Sequence, residues 1–86
     1  MMIRLHRNFL KQYKKLNKQE KNRFKERRNL FLLDKFNPLL NNHSLKGKYL
    51  GLRSINITGD LRVIYKYQSG EVIIFVAIDT HSNLYG

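Results

Sequence analysis

The chain has no cysteine, one proline and only six acidic side chains among its 86 residues. Its longest unbroken apolar run is Val72 to Ile78. Each scarcity excludes something. Without cysteine there are no disulfides and no thiolate–metal sites to staple the fold, a composition that fits a reducing cytoplasm. The apolar run is far too short to cross a bilayer, and residues 1–7 hold no apolar stretch of signal-peptide length, so a cytoplasmic location with no membrane partner is expected. Three histidines and six scattered acids form no HExxH motif, no carboxylate cluster and no ligand pair at helical spacing, so neither a metal nor a cofactor is expected. All five glycines fall at turns or at the terminus, which excludes a Gly-rich phosphate loop. A serine triad has no nucleophile elbow to support it.

Positive charge, in contrast, is abundant. The net charge is +11, and residues 1–48 carry fourteen of the seventeen basic side chains with three of the six acids. Residues 49–86 carry three of each and sum to zero. A solvated helical face normally mixes signs, so the excess points to a polyanionic partner, either nucleic acid or an acidic protein. Hydrophobic content of 42% suffices for one layer of helix on one sheet, and the length fits a single domain over residues 1–86.

The apolar pattern gives the order of elements. Residues 2–5 read as a first strand. From Arg7, Phe9, Leu10, Tyr13 and Leu16 recur at helical spacing. Asn17 is placed to cap a second helix, with Glu20 three residues on in capping-box position, and that helix is expected to run to about Lys35. Asn37-Pro38 ends it, since the residue before proline avoids the helical region. Residues 39–48 read as a loop. Beyond Tyr49, Ile55 and Ile57 alternate with Ser54 and Asn56; Leu61, Val63, Tyr65 and Tyr67 alternate with Arg62, Ile64 and Lys66. Residues 71–78 are apolar on both faces and are expected between two neighbours. The expectation is an α+β fold, β-α-α-β-β-β, with an antiparallel-dominated sheet and the N-terminal helical hairpin packed on one face. Strand parity then puts Asn56, Arg62 and Lys66 on the other face, near a loop bearing His43 and a C-terminal loop bearing His81.

Two histidines there suit one to accept a proton and the other to donate it. Asp60 either forms the turn after Gly59 or, set against an imidazole, holds its orientation. Arg62 either makes a structural ion pair or offers its fork to a phosphate or phosphorane. What these groups support is metal-free acid–base chemistry on a phosphodiester, or binding alone.

The strings from His43 to Gly47, Gly51-Leu52-Arg53, Gly59 to Tyr65 and Thr80-His81-Ser82-Asn83-Leu84-Tyr85 resemble the RelE and ParE superfamily of type II toxin–antitoxin toxins, and most closely its YafQ-like branch. The match covers residues 43–86, and the helical hairpin agrees in length and position. The resemblance implies a RelE-like fold and a ribosome-dependent mRNA endonuclease that inhibits translation. It implies His43, Asp60, His81 and Arg62 as catalytic residues. Arg53, Asn56, Tyr85 and Lys46 would bind substrate, and Lys11, Lys14, Lys15 and Lys18 would hold ribosomal RNA backbone. The implied partners are mRNA and the ribosome, a cognate acidic antitoxin, and operator DNA only through that antitoxin. Two positions depart from the branch pattern: Asn56 stands where a histidine is expected, and Leu61 where an aromatic is common. Two alternatives come with the superfamily. One is a ParE-like inhibitor of gyrase, which needs no histidine pair, and the other is a catalytically weakened antitoxin-binding protein.

Overall fold

A computed structural model describes residues 1–85. Strand β1 (Met2–Leu5) leads into helices α1 (Arg7–Lys14) and α2 (Lys18–Leu33). Short 3-10 turns at Pro38–Leu40 and Gly47–Tyr49 flank β2 (His43–Ser44). Then come β3 (Arg53–Asn56), β4 (Leu61–Tyr67), β5 (Val72–Thr80) and helix α3 (His81–Tyr85). The strands form one sheet in the order β1-β5-β4-β3-β2, with β1 parallel to β5 and the other pairs antiparallel. The α+β class, the antiparallel-dominated sheet and the helical hairpin are those expected; strand β2 and helix α3 are additions to the expected β-α-α-β-β-β.

The helices start where their caps dictate. Glu20 N donates to Asn17 Oδ1 at 2.8 Å, and Asn17 N donates to Glu20 Oε1 at 3.0 Å. Two otherwise unpaired backbone donors are thereby satisfied, worth about 1 kcal/mol. At the start of α1, Asn8 N donates to His6 Nδ1 at 3.0 Å. Helix α2 stops at Leu33, two residues short of expectation. Asp34 leaves the helical region (φ −156°, ψ 86°), and Asn37 Oδ1 instead accepts from Leu39 N to start the proline-led 3-10 turn.

One face of each helix closes the main core. Phe75 of β5 is fully buried and meets Phe9, Phe24, Phe31 and Tyr65 with ring centroids 5.8–6.2 Å apart. Ile55, Ile57, Val63 and Ile78 complete this layer. Strand β1 covers β5 only as far as Phe75, which leaves backbone groups beyond it unpaired by strand. Helix α1 supplies the missing partners: Asn8 Nδ2 donates to Val76 O at 3.1 Å, and Ile78 N donates to Gln12 Oε1 at 2.9 Å. The exposed edge of β5 is thus closed by two side-chain amides rather than by backbone.

A bulge decides the second face. Ile64 pairs with Ala77 but Tyr65 pairs with Phe75, so Val76 is the extra residue. Ile73 and Phe75 point into the main core, and the bulge then turns Ala77 to the opposite face and Ile78 back to the core. This explains a strand that reads as apolar on both sides. On the second face, Leu45, Ile64, Ala77 and Leu84 form a small separate cluster.

The segment 39–48, expected as loop, contains β2 and parts of both 3-10 turns, and the expected C-terminal loop from His81 is helix α3. Gly47 (φ 64°) and Gly51 (φ 89°) take left-handed conformations that a side chain would strain, which lets the chain double back over the cluster. Tyr67, expected in the apolar layer, lies half-exposed at the sheet margin against Lys35, whose ammonium donates to its hydroxyl at 3.1 Å. Burial pushes Tyr67 up, but this ammonium and the neighbouring Tyr65 hydroxyl outweigh it and hold the phenol below its ordinary range. Tyr65, buried beside it, is pushed up to about 12, mainly by desolvation.

Candidate functional site

The second sheet face carries a cavity of about 360 Å³ lined by Asn41, His43, Leu45, Ser54, Arg62, His81 and Tyr85. Four of the residues singled out from sequence meet here: His43 from β2, Arg62 from β4, and His81 and Tyr85 from α3. Among the described residues no carboxylate side chain lines the cavity, so its ionisable groups are two imidazoles, a guanidinium and a phenol. Such a lining favours an anion.

Each group is held by its own element. His43 Nδ1 lies 2.7 Å from Asn41 O, and a carbonyl can only accept, so this nitrogen carries a proton. In the neutral ring Nε2 is then the basic atom. Asn41 offers that carbonyl from a left-handed conformation (φ 45°). Arg62 is pinned by the turn before its strand: Nη1 donates to Thr58 O (3.0 Å) and Leu61 O (3.3 Å), and Nη2 donates to Gly59 O (3.1 Å). Thr58 Oγ1 in turn accepts from Asp60 N and Leu61 N, which fixes that turn. Among the described residues Arg62 forms no ion pair; the pairs present are the N-terminus with Glu71 and Arg23 with Glu26.

His81 opens α3. Its backbone N–H donates to Asp60 O at 2.9 Å and reaches Asp60 Oδ1 at 3.3 Å. Thr80 Oγ1 accepts from Asn83 N, and Asp79 Oδ1 accepts from Asn83 Nδ2, so the short helix is tied to the end of β5. The His81 ring packs on Tyr85 with centroids 4.8 Å apart, and Tyr85 meets Tyr49 edge-on at 5.7 Å. Tyr49 hydroxyl donates to Leu84 O at 3.0 Å, which locks α3 over the sheet.

Other expected residues lie apart. Asp60 touches the backbone of His81 and not its ring. Arg53 is on the opposite face, where its Nε donates to Asn42 Oδ1 at 2.8 Å and its guanidinium lies over Phe36 at 5.6 Å. Asn56 pairs with Arg62 across the strands, but it lines a different cavity, of about 220 Å³, beside Arg23 and Arg27. Lys46 is exposed ahead of the second 3-10 turn, Lys66 is exposed on β4, and Lys11, Lys14, Lys15 and Lys18 are exposed on the helices. Lys11 and Lys15 also border a groove of about 500 Å³ that reaches Asp79, Thr80 and Asn83. The sequence reading did not single out Asn41, Leu45 or Ser54. A two-residue strand has no periodicity to announce it, so the pairing of His43 with Ser54 left no signal.

No helix among the described residues is long and apolar enough to cross a membrane. No curated protein matches the chain. Among solved structures, the crystal structure of E. coli YafQ superposes with a TM-score of 0.82 at 23% identity, covering 98% of this chain and 97% of that one. The toxin in the E. coli DinJ–YafQ toxin–antitoxin complex gives 0.79 at 24% identity, covering 98% and 96%. A YoeB/ParE toxin from Agrobacterium tumefaciens gives 0.77 at 19%, covering 94% and 99%. These likenesses establish the fold. The family model described as "Bacterial toxin of type II toxin-antitoxin system, YafQ" matches residues 1–86, and the chain therefore belongs to the YafQ family of type II toxin–antitoxin toxins.

Proposed function

We propose that this toxin is an mRNA endoribonuclease that works without a metal, acts on the ribosome and so inhibits translation. The observation that carries this reading is the meeting of two imidazoles and a turn-anchored guanidinium around one cavity. RNA brings its own nucleophile. His43, with Nδ1 occupied by Asn41 O, takes the 2′-hydroxyl proton on Nε2. The 2′-oxygen then attacks phosphorus, and the P–O5′ bond breaks as His81 gives its proton to the leaving 5′-oxygen. The products are a 2′,3′-cyclic phosphate and a 5′-hydroxyl. Arg62 neutralises the charge that builds on the phosphorane. Asp60 sets the position of His81 through its backbone. Tyr85, exposed beside His81, stacks a base of the substrate.

The helices have a separate task in this reading. Lys11, Lys14, Lys15 and Lys18 lie exposed on a surface with few acids, and they anchor the toxin on ribosomal RNA with an affinity that falls steeply as salt rises. The protein acts in the cytoplasm. Its partner is a cognate antitoxin, a reading the DinJ–YafQ complex supports; in this reading the antitoxin is acidic, covers the basic surface and alone engages operator DNA.

His81→Ala tests the core of the proposal. End-mapping of mRNA on programmed ribosomes is expected to show cleavage reduced by roughly 10²-fold or more, with the fold retained. Undiminished cleavage by the variant would remove His81 from the chemistry, and intact transcripts with damaged DNA in cells expressing the wild type would replace the nuclease with a gyrase poison.

A further inference from the structure

Ser54 is the one buried polar residue of the chain's described part: it is 0% exposed, and its Oγ has no hydrogen-bond partner. An unpartnered hydroxyl in the interior costs stability that alanine at the same place would not. Ser54 does not belong to the main core. It is among the residues that border the 360 Å³ cavity, on the sheet face shared with His43 and Arg62, with its Oγ just beneath the surface. Ser54 is paired directly with His43 on one side and with Ile64 on the other. Directly opposed residues have Cβ atoms roughly 5 Å apart, so the serine sits beside the imidazole at the bottom of the site. Arg62, two residues before Ile64 on the neighbouring strand, flanks it diagonally. Ladder pairing on both sides fixes the backbone of Ser54, and Ile64, directly opposite it, belongs to the small apolar cluster with Leu45.

We infer that Ser54 Oγ is a substrate-binding donor, left without a protein partner so that it can donate to a non-bridging oxygen of the RNA phosphate gripped by Arg62. A hydroxyl suits that role because it bonds an anion without adding charge beside His43, and a bond to a charged oxygen is stronger than one to a neutral acceptor. The phosphate oxygen is what completes the hydrogen-bond count of the cavity wall. The inference rests on the nuclease reading, since it takes the same phosphate as ligand.

Ser54→Ala removes one oxygen and little volume, so the variant folds. Two measurements are made on the full chain: thermal unfolding without ligand, and NMR titration with an RNA dinucleotide whose single phosphodiester is made uncleavable by a 2′-deoxy residue on its 5′ side. The expected pattern is a melting temperature equal to or above wild type with a dissociation constant raised by about 10-fold or more. Equal dissociation constants in variant and wild type overturn the inference and leave the nuclease intact. A lowered melting temperature with unchanged binding makes Ser54 structural and also overturns it. If the wild type itself does not bind the probe while an Arg62→Ala control is likewise silent, the phosphate site fails, and the serine's role fails with it.

Discussion

Arg62→Lys keeps the charge at this position and removes its shape, which separates electrostatic attraction from directed hydrogen bonding. Three of the five guanidinium N–H groups are directed at the carbonyls of Thr58, Leu61 and Gly59. That leaves Nε–H and one Nη2–H without a protein partner, and such donors on a planar guanidinium suit two oxygens of a phosphorane. Lysine has a single ammonium at the end of a flexible stem and reproduces neither the anchor nor the fork. Losing one preorganised donor to a developing oxyanion costs about 2.7–4 kcal/mol, or roughly 10²–10³ in rate. The lost main-chain contacts cost about 1–3 kcal/mol of stability, because the carbonyls sit near solvent and rehydrate. A chain of this size is stable by about 4–13 kcal/mol, so the variant remains folded. Single-turnover cleavage on programmed ribosomes, alongside urea unfolding, reads both quantities. Binding to ribosomes should be unchanged, since the net charge is unchanged. Cleavage within about threefold of wild type would show that only a positive charge is needed there, against the fork geometry.

Gln12→Ala should destabilise the protein by about 1–3 kcal/mol in urea unfolding, because Ile78 N–H loses its acceptor and no strand lies near to replace it; a change under about 0.5 kcal/mol would mean that water reaches this edge. Alkaline titration followed by tyrosinate absorbance should find Tyr67 ionising below the ordinary tyrosine value of 10.0 and Tyr65 near pH 12. Because the folded pKa of Tyr65 is raised from 10.0, its neutral form is favoured by folding, so its contribution is full below pH 10 and is lost as pH rises from there toward about 12. Tyr65→Phe should flatten that decline, and an unaltered decline in the variant would assign it to another group.

The parts of the fold written in local chemistry were readable from sequence. Asn17 and Glu20 cap each other as their spacing required, and the alternation of Ile55 and Ile57 with Ser54 and Asn56 assigned the two faces of β3 correctly. Parity even held a warning that the family motif obscured: Arg53 shares the phase of Ile55 and Ile57, so it could not stand beside Arg62, and it binds Asn42 on the helix side. What could not be read depends on long-range pairing. The two residues of β2 exist only because β3 lies beside them. Helix α3 buries only Leu84 and owes its place to Tyr49, Asp60 and Asp79. The site residues His43, Arg62 and His81 were named from their types and motif, but the role of Asn41 in setting the His43 tautomer follows from a backbone angle with no sequence signature.

The bulge at Val76 makes the length of β5 a matter of odd and even. Between Phe75 and Asp79 every residue gained or lost singly would rotate the rest of the chain by half a pleat, taking Ile78 out of the main core to the face of the small cluster and swinging His81 away from Arg62 to the helical side. Changes in the Gln68–Gly70 turn carry no such consequence, because β4 and β5 re-pair beyond it in fixed register. His81 is therefore aimed by one extra residue five positions before it.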